Sequence, residues 1–248
     1  MKELRLSILC LLIILFGFNC LGQKMYEKAP LKQKDGVVLD GRYYSPKKDG
    51  PGVLLLCQCD PSTDQNEYNS LANKLQYQGY HVMSYNYRGF GNSGGTKPNL
   101  MEMESMDEVM QYWRDNWLVE VELAFNTLKS MKGVDATKMT IVGASCGNFL
   151  ALEYALKHNN LPTLTLLGGP VDDSIISRLD GNEDLPILII AGNEGPTFEW
   201  VDRIFDASKN EMSRIIKFKT VSHGTGVFEK QPQTEDIIID WINATISN

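Results

Sequence analysis

The run Met139-Thr140-Ile141-Val142 leads directly into Gly143-Ala144-Ser145-Cys146-Gly147, after which a helical pattern begins at Asn148. A G-x-S-x-G motif between a strand and a helix predicts a sharp turn that projects Ser145 at the carboxyl end of the strand. Glycines two residues before and after the serine let the two backbones pass closely. The alternative interpretation is a Gly-rich turn with no chemical role.

Strand and helix patterns alternate on both sides of this turn. Apolar runs typical of buried strands occur at 53–56, 80–85, 139–142, 164–167, 186–191 and 215–218, and helical patterns at 65–78, 105–131, 146–158, 198–208 and 233–246. The long pattern at 105–131 is expected to break near 113–116. The alternation predicts one α/β domain over 28–248, with a mostly parallel sheet and helices on both faces. Residues 36–45, with turn signals at Gly36 and Asp40-Gly41, predict an antiparallel edge.

Composition limits the function classes. Of the 248 residues, 24 are Lys or Arg and 31 are Asp or Glu, which gives a net charge of −7. Nucleic-acid binding needs clustered basic residues, and the sequence contains no such cluster, so we expect no nucleic-acid partner. With 43% hydrophobic residues, the chain also differs from collagen-like and disordered sequences.

The first 22 residues predict an export signal. Lys2 and Arg5 precede an apolar run at 6–18, and Cys20-Leu21-Gly22 supplies small residues before a polar stretch. The run is shorter than the roughly 18 apolar residues of a membrane span, so we expect a periplasmic or secreted protein without a stable span. A signal anchor is one alternative. Lipid attachment at Cys20 is another, although Gly17-Phe18-Asn19 is a poor lipidation sequence.

Removal of that segment leaves three cysteines, Cys57, Cys59 and Cys146. An odd number in an oxidising compartment means one free thiol or no disulfide at all. No histidine or fourth cysteine lies at metal-binding spacing, so no metal site is expected. A redox role for the Cys57/Cys59 pair remains a weak alternative, because nothing around it resembles a thioredoxin motif.

A serine nucleophile needs a base, and the sequence has only three histidines. His81 lies in a strand pattern before the G-x-S-x-G turn, and His158 lies several helical turns beyond Ser145. His223 follows the strand pattern at 215–218 in a glycine-containing loop that can reach the sheet edge. His223 is therefore the predicted base, with a plain surface histidine as the alternative.

The predicted acid is Glu194. In sites built on such a turn the usual chain order is serine, acid, histidine, with the acid after a later strand. Glu194 is the first carboxylate beyond the strand pattern at 186–191. Asp202, several residues further on in a helical pattern, is the alternative, and a solvated loop charge is the interpretation without function.

These motifs together resemble the α/β-hydrolase superfamily, in its dienelactone-hydrolase-like and serine-aminopeptidase-like branch. The resemblance covers nearly the whole chain after residue 22, and it rests on four motifs in the same order, at 54–59, 87–93, 143–147 and 222–225. It implies an α/β-hydrolase fold and a serine esterase that acts on small carboxylic esters or related acyl compounds. A peptidase or thioesterase would use the same residues.

The resemblance also implies roles for individual residues. Ser145 would attack the carbonyl, His223 would move the proton, and Glu194 would orient the imidazole. The backbone N–H of Cys146 would form one half of the oxyanion hole, and that of Gln58 or Cys59 the other. No cofactor is implied, and the oligomeric state stays open.

Three positions depart from the superfamily pattern. Cys57 stands where a histidine is common, Asn86 replaces the usual aspartate before Arg88-Gly89, and Gly195 occupies a position where the acid is often found. These departures keep open a catalytically weak or inactive protein that uses the fold as a binding module.

Two further expectations concern the surroundings of Ser145. If the oxyanion loop folds over the G-x-S-x-G turn, Cys59 and Cys146 become neighbours and can form a disulfide. Only a short segment separates the strand patterns at 164–167 and 186–191, so we expect no large lid and an open, shallow pocket. Four methionines and two tryptophans either line that pocket or pack in the core, namely Met101, Met103, Met106, Met110, Trp113 and Trp117.

Overall fold

The computed structural model describes residues 25–60 and 62–246. The predicted signal peptide, 1–22, lies outside them. The described strands are β1 (Glu27–Lys28), β2 (Leu31–Lys32), β3 (Val38–Leu39), β4 (Gly41–Tyr44), β5 (Gly50–Leu56), β6 (His81–Tyr85), β7 (Val134–Ala144), β8 (Leu164–Leu167), β9 (Ile187–Gly192) and β10 (Arg214–Phe218).

The helices connect these strands along the chain. They are α1 (Asn69–Gln78), α2 (Met106–Tyr112), α3 (Leu118–Ser130), α4 (Cys146–His158), α5 (Asp173–Asp180), α6 (Thr197–Ala207), α7 (Gly226–Lys230) and α8 (Thr234–Thr245). Short 3₁₀ segments occur at Gln65–Tyr68 and Leu100–Glu102, and a π-helical turn at Trp113–Trp117 joins α2 to α3.

Within the described residues, eight strands form the main sheet in the order β1-β4-β6-β5-β7-β8-β9-β10. The strand β4 pairs antiparallel with β1 and β6, whereas all pairings from β6 to β10 are parallel. The predicted mostly parallel sheet is confirmed. Because the carboxyl ends of parallel strands lie at one edge, the loops after β5, β7, β9 and β10 meet there.

Helices cover both faces of this sheet. Every residue of β6, β8 and β9 is buried. Successive side chains of a strand point to opposite faces, so complete burial requires packing on each side. The helices α1 and α8 are joined by a 2.8 Å hydrogen bond from Ser70 to Glu235, while α4 contacts both α3 and α5.

The strands predicted at 80–85, 164–167, 186–191 and 215–218 match β6, β8, β9 and β10 to within one residue, whereas β5 and β7 begin three and five residues before their predicted starts. Within 36–45, β4 joins the main sheet antiparallel as predicted, but β3 pairs with β2 in a separate two-stranded sheet. The predicted break in the pattern at 105–131 is confirmed as the π-helical turn. Between β8 and β9 the chain forms one helix of eight residues, α5, and no large lid.

A buried ion pair ties the loop after β6 to α3. The Glu120 carboxylate is fully buried and accepts hydrogen bonds from the Arg88 backbone N–H at 3.1 Å and from Arg88 Nε at 3.0 Å. Burial raises the pKa of Glu120 to about 7, although Arg88 favours the charged form. The folded protein therefore binds a proton at Glu120 more tightly than the unfolded chain does.

This difference predicts a pH-dependent stability. The contribution of Glu120 is fully present below its ordinary pKa of 4.5 and is lost as the pH rises to about 7. In Glu120→Gln we expect the decline in the free energy of unfolding between pH 4.5 and 7 to shrink, as measured by urea denaturation. Glu122→Gln is the control. Burial raises the pKa of Glu122, but the interaction with Lys157 outweighs this effect, so the pKa of Glu122 is lowered. An unchanged decline in Glu120→Gln would contradict the assignment.

Candidate active site

Ser145 occupies the sharp turn between β7 and α4. Its backbone has φ 56° and ψ −118°, a strained conformation for a residue other than glycine. A Cβ atom on Gly143 would lie 2.2 Å from the carbonyl oxygen of Gly147, and one on Gly147 would lie 2.5 Å from that of Leu56. The turn therefore requires glycine at both positions, and it exposes the serine hydroxyl at the sheet edge.

The side chains of Ser145 and His223 form a hydrogen bond. Ser145 Oγ lies 2.7 Å from His223 Nε2, although the two residues are 78 positions apart in sequence. His223 lies in the loop between β10 and α7, where the backbone N–H of Gly226 donates to its carbonyl at 2.9 Å. A neutral His223 can therefore accept the proton of Ser145.

Thr197 faces the other nitrogen of the imidazole. A His223 ring that accepts at Nε2 carries its hydrogen on Nδ1, and Nδ1 lies 3.4 Å from Thr197 Oγ1. The Thr197 hydroxyl donates in turn to the backbone carbonyl of Glu194 at 2.5 Å. Thr197 was not predicted from the sequence. The sequence feature that could have indicated Thr197 is a hydroxyl residue at the start of α6, directly after the loop that contains Glu194.

The Glu194 side chain is exposed and lines the same cavity as Ser145 and His223. Among the described residues its carboxylate forms no hydrogen bond with His223, so its predicted role as the orienting acid stays a prediction. The alternative acid, Asp202, lies on α6 and forms an ion pair with Lys217 on β10 at 2.8 Å. The structure thus brings Glu194, and not Asp202, to the cavity.

The environment of His223 favours its neutral form. Burial lowers the pKa of His223 below its ordinary value of 6.5, and the negative charges of Glu194 and Asp60 oppose the shift. Desolvation penalises the imidazolium ion, whereas nearby carboxylates stabilise it. The imidazole is therefore ready to accept a proton near neutral pH, and the two carboxylates stabilise the cation that this transfer creates.

The three predicted oxyanion-hole residues lie on two segments that face each other. The N–H of Cys146 is in the first turn of α4, where backbone donors have no acceptor within the helix. Gln58 and Cys59 belong to the loop after β5, and both line the cavity. The side chains of Cys59 and Cys146 form a disulfide with a Cα–Cα distance of 5.9 Å, so the two cysteines are neighbours as expected.

Cys57 is the free cysteine of the described part of the chain, and it is buried. Its Sγ atom donates to the backbone carbonyl of Tyr85 at 3.4 Å, and burial raises the pKa of its thiol. The neutral, hydrogen-bonded thiol fills the position where a histidine is common. It therefore supports the start of the oxyanion loop by packing and offers no reactive thiolate.

Glu67 links the oxyanion loop to the histidine loop, a contact that no pattern in the sequence indicates. Its Oε1 atom accepts from Gln58 Nε2 at 3.1 Å, and its Oε2 atom accepts from the Thr225 hydroxyl at 2.7 Å. Gln58 contributes a predicted oxyanion donor, and Thr225 lies two residues after His223. The Glu67 carboxylate thus fixes the position of the oxyanion loop relative to the histidine loop.

Asn86 organises the segment that follows β6. Its Oδ1 atom accepts from the backbone N–H of Gln65 at 2.8 Å, while its Nδ2 atom donates to the Asp40 carboxylate at 3.4 Å. An aspartate here would accept from Gln65 but would repel Asp40. The departure from the superfamily pattern at this position therefore matches the presence of Asp40.

A cavity of about 1000 Å³ opens over Ser145. Its lining is largely apolar and includes Phe90, Leu100, Met101, Met106, Trp113 and Trp200. Met110 and Trp117 are instead buried in the core, and Met103 packs against it. The segment after β6 contributes much of the lining, and no large lid between β8 and β9 covers the cavity.

No group of three or more His, Cys, Asp or Glu side chains in 25–60 and 62–246 is arranged to hold a metal ion. Within the same residues, no helix has both the length and the apolar character needed to span a bilayer.

Solved structures with the same arrangement of strands and helices identify the fold. An esterase from Pyrococcus furiosus, Pf2001, aligns with a TM-score of 0.68 over 89% of this chain and 93% of that chain, at 14% identity. Est1E from Butyrivibrio proteoclasticus, solved with ferulic acid bound, aligns with a TM-score of 0.68 over 89% of this chain and 100% of its own, at 14% identity. The fold is that of an α/β hydrolase.

A CIB-like hydrolase from Thermoplasma acidophilum shares this α/β-hydrolase fold, with a TM-score of 0.64 over 88% of this chain and 97% of that chain, at 15% identity. The family model described as serine aminopeptidase, S33, matches residues 63–174. That range contains Ser145 and ends before His223. No curated protein matches the sequence. The α/β-hydrolase fold expected from the motifs is thus confirmed.

Proposed function

We propose that this α/β hydrolase is an exported serine hydrolase that cleaves carboxylic esters or related acyl compounds. The observation that carries the proposal is the 2.7 Å contact between Ser145 Oγ and His223 Nε2. Ser145 lies at the tight turn before α4, and both residues line the largely apolar cavity. A hydroxyl needs an adjacent base to act as a nucleophile near neutral pH, and this contact supplies one.

In the first half-reaction, Ser145 Oγ attacks the acyl carbon while His223 Nε2 takes the hydroxyl proton. The carbonyl oxygen becomes an oxyanion, which accepts hydrogen bonds from the N–H of Cys146 and that of Gln58 or Cys59. When the tetrahedral intermediate collapses, the bond to the leaving oxygen breaks and His223 returns its proton to that oxygen. The alcohol leaves, and the acyl group stays on Ser145.

In the second half-reaction, a water molecule takes the place of the alcohol. His223 removes a proton from the water as the water oxygen attacks the acyl-enzyme, and the same donors hold the second oxyanion. Collapse releases the carboxylic acid and returns the proton to Ser145 Oγ. Thr197 holds the imidazole through Nδ1, and we assign Glu194 to stabilise the imidazolium by its charge.

The walls of the cavity support an apolar substrate. Aromatic and thioether side chains such as Trp113, Trp200 and Met106 adapt to irregular apolar groups. One of the solved structures with this fold is described as an esterase, and another, Est1E, holds ferulic acid. We therefore place an apolar acyl or alcohol group of the substrate in the cavity.

Export is supported by the disulfide as well as by the sequence pattern of residues 1–22. Disulfides persist in oxidising compartments and are rare in reducing ones. The Cys59–Cys146 bridge is therefore suited to a periplasmic or secreted protein. Expression of the full chain followed by fractionation and mass measurement of its N-terminus tests this assignment.

The proposed activity is tested with a fluorophosphonate probe, which reacts with activated serine nucleophiles. We expect the folded wild-type protein to be labelled at Ser145 and Ser145→Ala to remain unlabelled. Hydrolysis of matched esters, thioesters and amides then separates an esterase from a thioesterase or a peptidase. A folded wild-type protein that is not labelled would contradict the proposal and favour a binding module.

The lowered pKa of His223 predicts the pH dependence of turnover. Only the neutral imidazole accepts the Ser145 proton, so kcat/KM rises with pH through the pKa of His223 in the free enzyme. We expect the midpoint of this acidic limb below 6.5, the ordinary value for histidine. Because Glu194 raises the pKa of His223, Glu194→Gln is expected to move the midpoint further down. An identical midpoint in wild type and variant would contradict an electrostatic role for Glu194.

Three substitutions test which residues orient and stabilise the His223 imidazole. We expect Thr197→Val to lower kcat about 10-fold, because it removes the hydrogen bond that holds the imidazole. Glu194→Gln is expected to lower kcat less, since its carboxylate is exposed and screened, and Asp202→Asn should leave kcat unchanged. Thr165→Val is the control for the loss of a hydroxyl group. The Oγ1 atom of Thr165 is buried and has no hydrogen-bond partner among the described residues. A loss confined to Asp202→Asn would overturn both assignments.

A further inference from the structure

We propose that the Cys59–Cys146 disulfide is a positioning element that sets the spacing of the oxyanion hole. The inference rests on the proposed function, because it concerns the donors that would stabilise the tetrahedral intermediate. Both cysteines belong to the segments that carry these donors, and Cys146 directly follows Ser145 in sequence. The bridge thus joins the two halves of the oxyanion hole to each other by a covalent bond.

The two halves differ in how firmly the rest of the protein holds them. Cys146 is fully buried at the start of α4, on a helix packed against the sheet. Cys59 lies in the segment after β5, where residues 57–60 have no regular secondary structure and Cys59 is only partly buried. One donor is therefore fixed by the core, and the other depends on a loop.

The hydrogen bonds of Asp60, the residue after Cys59, do not connect the loop to α4. The Asp60 carboxylate accepts from the backbone N–H and the hydroxyl of Ser62, and the Asp60 carbonyl accepts from the Thr63 N–H. Among the described residues these contacts stay within the loop. Gln58 is held from the opposite side by Glu67. The disulfide is thus the connection that ties Cys59 to the segment after Ser145, at a Cα–Cα distance of 5.9 Å.

Loss of this tether is expected to act on the transition state more than on substrate binding. Removing one oxyanion donor costs about 10²–10³-fold in kcat in other hydrolases. A donor that is present but poorly held should cost less, so we expect kcat to fall about 10–100-fold. The apolar cavity walls lie mostly outside the loop, so KM should change by less than about 3-fold.

The disulfide is also open to chemical reduction. Cys59 lines the cavity, so a small dithiol such as dithiothreitol can attack its sulfur and release the Cys146 thiolate. The second thiol of the reagent then displaces Cys59 from the mixed disulfide. The protein gains two thiols, and the reagent leaves as its cyclic disulfide, so the two electrons pass from the reagent to the protein.

The test compares the oxidised wild-type protein, the same protein after reduction, and the double variant Cys59→Ala/Cys146→Ala. Peptide mass mapping first establishes the Cys59–Cys146 bridge in the oxidised sample. The measurements are kcat, KM and the affinity for a boronic acid, which forms a tetrahedral adduct on the serine, all well below the unfolding temperature. If the double variant fails to fold, reduction of the folded wild-type protein supplies the comparison.

We expect reduction and double substitution to lower kcat by the same factor and to weaken boronic acid binding in proportion, with KM nearly constant. Dithiothreitol should have no effect on the double variant, which serves as the control for the reagent. Equal kcat and boronic acid affinity in all samples would overturn the inference. So would free thiols at both Cys59 and Cys146 in the oxidised protein. An oxidised wild-type protein that the fluorophosphonate probe does not label would instead contradict the proposed function itself.

Discussion

The variant His223→Ala is expected to lower kcat for ester hydrolysis about 10⁴-fold or more. The Ser145 hydroxyl loses its base at Nε2, and the leaving group loses its acid. Both half-reactions are therefore affected. The oxyanion donors and the cavity remain, so a small residual rate over the uncatalysed reaction should persist while KM changes little. Fluorophosphonate labelling of Ser145 should fall together with kcat.

The matched control is His158→Ala. His158 lies near the end of α4, where its Nε2 atom is 3.3 Å from Glu122 on α3. It does not line the cavity, so we expect kcat within about 2-fold of the wild-type value for this surface substitution. Equal losses in the two variants would show that His223 acts through the fold and not as the base.

The variant Gly147→Ala is expected to lower the free energy of unfolding by about 2 kcal/mol or more. Its Cβ atom would lie 2.5 Å from the Leu56 carbonyl oxygen and 2.8 Å from that of Cys57. These are backbone atoms of β5 and of the oxyanion loop, so they cannot move aside as a flexible side chain would. Alanine favours a helix over glycine by about 1 kcal/mol. The steric clash of the added Cβ atom opposes this gain and should cost more free energy than the helix preference supplies.

Gly181→Ala is the control for Gly147→Ala. Gly181 follows α5 with φ −90°, and the nearest atom to an added Cβ is 3.8 Å away. We expect its stability to stay within about 0.5 kcal/mol of wild type in urea denaturation. Because the clash of Gly147→Ala would push the oxyanion loop outward, its kcat should fall as well. A stabilised and fully active Gly147→Ala would contradict the close approach of β5 and α4.

The sequence predicted the parallel part of the fold because buried strands and packed helices leave distinct local patterns. The continuous apolar runs of β5, β8 and β9, bounded by turn residues, are typical of strands covered on both faces. The edge at 36–45 was harder to predict, because short, partly exposed strands carry weak patterns. The five-residue helix α7 was missed for the same reason, since it is too short to show a helical period.

The prediction of Ser145 and His223 was possible for a related reason. A strained turn needs glycines at fixed spacing, and a sequence with three histidines leaves few candidates for a base. Those constraints act within a few residues or by elimination. The acid lacked both kinds of constraint, since several carboxylates follow β9 and nothing in their spacing says which of them points to the imidazole.

By itself, the sequence therefore determined the order of the buried strands and the longer helices, the turn that exposes Ser145 and the loop that contains His223. Tertiary structure alone decided that Thr197 faces Nδ1, that Glu67 bridges Gln58 and Thr225, and that the segment after β6 forms the cavity wall. These contacts join residues from separate loops. Their distances depend on the depth and direction at which each loop leaves the sheet, and no local pattern of residues encodes those quantities.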